Sequence, residues 1–418
     1  MSTIHLEEPL IAGGLQATNF FNGRLLSGED LTHEQAMNLT AHRRIGQAIG
    51  AGVAFGLEVK KNLSQSTTNN PVLTVKSGLA INAVGQTLWL QDDTDIAVAQ
   101  TSSTMSSTGD VFGACDAVIP GVAVTSDGAY LLVVAPAQAR EGKAPVSGLG
   151  NVPAVCNSRY TTLGIRFRLL QLPVSAEFAD GNRARNRVAY RCFGTTADAA
   201  FYRNPFNLPT RRPGLPDDVR PVGFTECDVP LAVIGWRTAA IQFVDQWSVR
   251  RRITRPAADR DWPLLLSDQR LSEGEAMFFQ FQDQIQDMSN TFANPERTRA
   301  VEHFEYLPPV GIIQLANDRF ARGFHEELFF DTIIRHSAAD IEGARVAALV
   351  RAALHYPPLD PNSGVMLWIY RVRENQQALA KNTPTTAPQP YLIYATGHMA
   401  YMGDPHFDVN RWDFSNLP

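Results

Sequence analysis

Two stretches start the way a zinc-hydrolase helix starts. In His325-Glu326-Glu327-Leu328-Phe329 a histidine precedes a glutamate. The metal needs a second histidine four residues on, so that both imidazoles share one helix face. Phe329 stands there instead, and His33-Glu34 fails in the same way with Met37. Asp92-Asp93-Thr94-Asp95 gathers carboxylates that suit a hard cation, but it lacks the glycine and distal glutamate of an EF-hand loop. It reads as a solvated turn between strands. Asp92 and Asp95 are also the pair to consider for polysaccharide hydrolysis, which needs two carboxyls roughly 5–10 Å apart across a cleft. His398, Asp404 and His406 lie close in sequence near the C-terminus and are expected at the surface. Trp236, Trp247, Trp262 and Trp368 have the chemistry of a sugar platform, yet isolated tryptophans in strands more often anchor a core or an interface.

Other catalytic signatures are missing. The chain has no phosphate-binding G-x-x-x-x-G-K-[ST] loop, no dinucleotide G-x-G-x-x-G turn and no G-x-S-x-G nucleophile elbow. Cys115, Cys156, Cys192 and Cys227 are far apart, without the close pairs of a zinc site. They are expected as buried small hydrophobes, with a late disulfide left open for a particle that leaves the cell. No catalytic, cofactor-binding or metal-binding residue is assigned, and a protein without enzymatic activity or cofactor is expected.

The elements that would hold such residues belong to a sizeable globular chain. It has 418 residues, 44% hydrophobic and 19% charged, with a formal net charge of −5. That balance excludes disorder and gives no global attraction to nucleic acid or to an anionic membrane. The short basic runs Arg183–Arg191 and Arg250–Arg255 are expected to face water or pair at an interface. The first ten residues carry Glu7 and Glu8 where a secretory leader needs a basic and then an apolar region. No run reaches the ~18–20 apolar residues of a membrane span. Synthesis and assembly in the cytoplasm are expected, without direct membrane insertion.

Ser27, followed by Glu29 and Asp30, signals the start of a helix over Gly28–Ile49, ending at Gly50 and Gly52. Short apolar and β-branched runs follow: Val53–Val59, Val72–Val75, Leu79–Ile81, Thr87–Leu90 and Ile96–Val98. Turn-formers at Asn69-Asn70-Pro71, Ser77-Gly78 and Val84-Gly85 separate them, a pattern of sandwiches and barrels. Tyr130–Val134, Gly164–Leu172, Val188–Cys192 and Leu231–Trp236 extend the β-rich body to about residue 255. Inserts at Thr101–Asp127, Gln138–Ser158 and Arg203–Gly223 interrupt it, and are natural contact arms. Ser272 and Glu275 form a capping box for a second helix, with Met277, Phe278, Phe281, Ile285 and Met288 in one stripe, glutamines opposite and an end by Asn290–Asn294. Beyond it a helix over Ile341–Leu354 and a strand pair, Gly364–Arg373 with Tyr391–Thr396, are expected. Trp412 and Phe414 are expected to dock on their own domain. The fold class is thus α+β, mainly β: an N-terminal arm and helix (1–50), a β-sandwich or barrel-like body with long inserts (51–255), a helical linker (256–300) and a smaller C-terminal α+β domain (301–418).

The most distinctive stretch is Asn19-Phe20-Phe21-Asn22-Gly23-Arg24-Leu25-Leu26-Ser27-Gly28-Glu29-Asp30-Leu31, followed by Glu34-Gln35, Arg43-Arg44 and Gly52-Val53-Ala54-Phe55-Gly56-Leu57-Glu58-Val59. It resembles a bacterial family associated with phage-tail-like contractile injection systems. Val75–Gly85, Cys156-Asn157-Ser158-Arg159, Cys227–Ala232 with Arg250-Arg251-Arg252, and Phe304–Gly311 resemble further family segments in the same order. The resemblance implies a structural part at or near the baseplate, as a cage, collar or fibre adaptor. Its implied partners are baseplate, spike, sheath or fibre subunits and further copies of the chain in a symmetric homo-oligomer. The finished particle would be cytoplasmic, membrane-anchored or extracellular. Competing readings are a receptor- or glycan-binding protein of tail-fibre type and an enzyme acting on polysaccharide or cell wall.

Overall fold

Ser27 starts the first helix by a reciprocal cap: its hydroxyl accepts from the Asp30 N–H at 3.1 Å, and the Asp30 carboxylate accepts from the Ser27 N–H at 3.0 Å. Helix α1 then runs Gly28–Ile49 to a cap at Gly50. These positions are drawn from a computed structural model that describes residues 15–66, 71–99, 122, 124, 126–141, 159–195, 223–238, 240–253, 268–316, 323–335, 339–364, 366–373 and 391–396. The C-terminal end of α1 meets the body by backbone contact. A Cβ on Gly46 would lie 2.2 Å from the Gly85 carbonyl oxygen, so two glycines face each other where any side chain would hold the helix off.

Strands β1 (Gly52–Gly56), β2 (Val59–Lys61), β3 (Val72–Val75), β4 (Gly78–Ile81), β5 (Thr87–Leu90) and β6 (Thr94–Ala97) form two three-stranded sheets, β1-β4-β5 and β2-β3-β6. The single strand expected over Val53–Val59 is two. At Gly56 and Leu57 φ turns positive, 63° and 59°, and the chain passes from one sheet to the other. The β3–β4 and β5–β6 connections cross back in the same way, giving the cornered packing of small β-barrels and sandwiches.

A four-stranded antiparallel sheet lies against this pair, in the order β10-β9-β7-β8. Its strands are β7 (Gly128–Glu141), β8 (Tyr160–Gln171), β9 (Val229–Arg237) and β10 (Ala240–Asp245). Strand alternation sorts its side chains: Tyr130, Leu132 and Val134 join the core of the small sheets, whereas Ala129, Leu131 and Val133 face helices α2 (Ser175–Ala179) and α3 (Ala184–Phe193). Both faces being covered explains why Tyr130–Ala137 reads as an unbroken apolar run. Strand β9 pairs with β7 only as far as Val134, while β7 and β8 continue together to Glu141 and Tyr160. That end is a two-stranded ribbon with Tyr160 and Leu163 exposed. The insert expected from Gln138 therefore begins only after β7 ends.

Val188–Cys192, expected as a strand, lies within α3. The short apolar run suits either conformation. Its period is helical because Val188 and Cys192 face the sheet while Arg187 and Arg191 form outward ion pairs.

Helix α4 spans Asp268–Thr291. Ser272 does not cap it: the residue is buried within the helix, and Glu275 pairs with Arg252 at 2.9 Å. Phe281, Ile285 and Met288 enter one core cluster, Leu271 and Phe278 another, and Ala276 and Met277 a third with Tyr190 and Phe193 of α3. The expected single stripe is thus several buried faces, and Gln280 and Gln284, expected on the open side, are buried. Each large side chain so buried contributes about 2–3 kcal/mol.

Past the short helix α5 (Ala300–His303), strands β11 (Val310–Gln314), β12 (Ala339–Glu342), β13 (Trp368–Arg373) and β14 (Tyr391–Ala395) make a sheet in the order β11-β14-β13-β12. Helices α6 (Glu326–Phe329) and α7 (Val346–Ala353) accompany it. Strands β13 and β14 pair as expected. Ile341 is in β12, not in the helix assigned to Ile341–Leu354, because β12 pairs in parallel with β13. The fold class is α+β, mainly β.

Candidate functional site

A groove of about 880 Å³ lies between β2, β10, α2–α3 and α4. Its charged residues include Lys60, Arg185, Arg237, Asp283 and Asp287. Arg185 of α3 reaches Asp245 of β10 at 3.4 Å and Asp287 of α4 at 2.5 Å. Burial lowers the affinity of its guanidinium for the proton, and the Asp245 and Asp287 carboxylates more than reverse this, so its pKa is raised. Asp245 also accepts from Gln280 at 3.0 Å and from the Ser248 N–H at 3.0 Å. Trp247 stacks on Phe279 with ring centroids 4.6 Å apart and donates its indole N–H to Asp283 at 2.7 Å. The groove wall pushes the Asp283 carboxyl above its ordinary range, although that residue keeps solvent access. His303, whose ring lies tilted against that of Phe292 with centroids 5.1 Å apart, is held below the usual imidazole range chiefly by burial.

These groups tie α3, β10 and α4 together. A general base or a nucleophile needs a lone pair aimed at a substrate, whereas the three carboxylates here accept from arginine, amide or indole donors of the protein. The basic runs, expected on water-facing or interface surfaces, serve this joinery. Arg250 bonds to the Gly56 carbonyl at 2.5 Å. Arg251 bonds to the carbonyls of Trp247 and Ser248 at 2.7 and 3.0 Å and lies over Phe193. Arg168, outside those runs, forms a fully enclosed pair with Asp228 at 2.7 Å.

The residues singled out by type do not converge. Phe329 is a core residue behind exposed His325, and His33 bonds to the Gln16 carbonyl oxygen. Asp93 pairs with Lys76 at 2.5 Å and accepts from the Ser77 N–H, while Asp95 accepts from Thr74 and Asn62. Asp92 thus sits on the open turn between β5 and β6, and Asp95 is an exposed residue of β6 opposite Thr74, so the two do not face each other across a cleft. Trp236 is buried, Trp247 is packed as described and Trp368 is partly buried against the C-terminal core. Trp262, His398, Asp404, His406, Trp412, Phe414, Cys115 and Cys156 lie outside the described residues. Cys192 is a buried thiol, but Cys227 is disulfide-bonded, a correction to the reduced state expected for it and the alternative left open above. Among the described residues, no three metal-ligating side chains gather and no helix is long and apolar enough to cross a membrane.

A second kind of surface was not singled out by residue type. Most of the exposed large hydrophobic side chains among the described residues belong to the arm, α1 and the first small sheet. Leu25 is 93% exposed, with Phe20, Phe21 and Leu26 beside it in sequence. Phe55 of β1 and Trp89 of β5, each 54% exposed, meet edge to face at 6.0 Å across the sheet. Strand alternation gave the signal for this pair, since Leu88 and Leu90 point inward and leave Trp89 out. Compared with known proteins, the chain matches no family model and no curated protein.

Proposed function

We propose that this protein is a structural, non-catalytic subunit of a phage-tail-like contractile injection system, at the baseplate or its periphery. The observation that carries the reading is the gathering of bulky apolar side chains on the arm, α1 and the Phe55–Trp89 face. Exposed apolar surface of this kind marks contact with other macromolecules. The charged groups of the groove between α3, β10 and α4 hold the fold together, which suits a rigid part better than a catalyst. The sequence resemblance over Asn19–Val59 supplies the kind of assembly, and other baseplate, spike, sheath or fibre subunits are the partners it implies.

The reading is tested by sedimenting large particles from a lysate of the native cell and probing the fractions for this chain. Recovery with sheathed tubes supports it. A chain found only at the top of the gradient, while tubes sediment without it, overturns it. In that event the exposed Phe55–Trp89 pair makes glycan binding the next assay.

A further inference from the structure

Helix α1 carries a row of side chains for which no hydrogen bond or ion pair to another element is found among the described residues. The arm lies along one flank of the helix: His33 bonds to the Gln16 carbonyl at 2.9 Å, and Thr18 bonds to Glu34 and to the Asp30 carbonyl at 3.2 and 3.3 Å. The body takes another flank at the C-terminal end, where Gly46 and Gly50 are buried. Between the two flanks Leu31, Gln35, Asn38, His42, Ile45 and Ile49 are all exposed. At about 100° per residue these six fall within a sector roughly 80° wide along the whole helix, which is about 33 Å long. Their spacing alternates four and three, as in the seam of a coiled coil.

The chemistry of the row indicates what covers it. It holds no Lys, Arg, Asp or Glu, so a charged partner would find no counter-charge and a like copy would meet no repulsion. Leu31, Ile45 and Ile49 give apolar layers at its two ends. Asn38 already donates to Glu34 of its own helix, and so meets a neighbour as an acceptor, with Gln35 one turn earlier able to donate. Ala41 and Ala48 flank the row and allow close approach of two helices.

We infer that α1 is a self-association helix, packing in register along this row against α1 of a further copy of the same chain. The inference deepens the scaffold reading, and rests on it, by giving that scaffold a partner. In-register pairing sets identical residues opposite one another and places the symmetry axis along α1. It leaves the Phe55–Trp89 face for other subunits.

The test uses the full chain. Asn38→Cys places a thiol on the row and Gln47→Cys one on the opposite side of the helix. Under mild oxidation the first should give disulfide-linked chains and the second should stay single. Light scattering should give at least twice the mass of one chain, falling to the single-chain mass in Ile45→Asp/Ile49→Asp with the melting transition unchanged. A single-chain mass for the unmodified protein at tens of micromolar overturns the inference, as does equal cross-linking at both positions. A multiple mass that persists in the double variant assigns the interface elsewhere. Protection of the row from hydrogen exchange in a single chain, lost when residues 1–14 are removed, would assign it to that segment. Self-association without recovery in sheathed particles keeps this inference and removes the assembly reading. Recovery in particles without self-association through α1 does the reverse.

Discussion

Gln282 and Ile312 meet as two neighbouring strands would: the side-chain amide donates to the Ile312 carbonyl oxygen at 2.8 Å and accepts from the Ile312 N–H at 3.0 Å. Strand β11 is the edge of its sheet, and an edge leaves backbone groups unpaired. One glutamine of α4 satisfies both groups of one residue. Asn186 of α3 does similar work on another segment, accepting from the N–H groups of Glu305 and Tyr306 at 2.8 and 3.0 Å and donating to the Tyr306 carbonyl. Rigid connection between helices and sheets thus comes from side-chain amides as well as from apolar packing.

Gln282→Leu keeps a helix-forming side chain of similar size but leaves the Ile312 N–H and carbonyl without this partner. A partly buried unpaired group costs about 1–3 kcal/mol, so a loss of about 2 kcal/mol is expected in urea unfolding. Gln282→Glu should recover part of it, because a carboxylate still accepts from the N–H.

The Gly46–Gly85 contact leaves no room for a methyl group. A Cβ on Gly85 would also fall 2.0 Å from the Arg43 carbonyl oxygen, at a φ of +82° that disfavours alanine. Gly46→Ala should weaken docking of α1 by about 1–3 kcal/mol, the usual cost of overpacking. Limited proteolysis should then cut within Gly28–Ile49 faster while the body melts at an unchanged temperature. Equal cutting rates would show that α1 is held in some other way.

Arg168 and Asp228 form an ion pair with both side chains enclosed, and Asp228 also accepts from the N–H and hydroxyl of Thr225. Removing one charge of such a pair leaves the other buried. Arg168→Met should therefore cost about 3–5 kcal/mol, while Arg168→Met/Asp228→Leu should lose much less. A double-mutant cycle on unfolding free energies measures the difference.

His303 has a folded-state pKa lowered chiefly by burial. Below its unfolded value of about 6.5 the unfolded chain binds more protons at this site than the folded one. Stability from this site is complete above that pH and falls as pH drops toward the folded value. His303→Phe, which keeps an aromatic ring against Phe292, should flatten the decline in melting temperature between about pH 7 and pH 5. The same slope in both proteins would assign the decline to other groups.

What the sequence disclosed follows from how local each signal is. The limits of α1 were legible because Ser27, Asp30 and Gly50 act within a turn of themselves. Strands β3, β4 and β5 were legible because Gly and Pro mark the turns beside them. Three features depended on distant partners and were not legible: Ser272 as a buried helix residue, Ile341 as a strand paired in parallel with β13, and α3 in place of a strand. Arg183, Arg187 and Arg191, spaced by four, held the helical period of α3, but an apolar Val188–Cys192 run hid it. The groove's ion pairs were out of reach, since Arg185, Asp245 and Asp287 are far apart in the chain. The exposed row of α1 lay within a helix whose limits were known, yet which face would stay open depended on where the arm and Gly85 came to rest.

The most direct test of the scaffold account is to place an electron-dense tag on this chain in its native cell and image sheathed particles. Label concentrated at one end of the tubes, at the same place in each, is the result the account predicts. Tubes assembled without label, with the tagged chain single and free in the lysate, would contradict it.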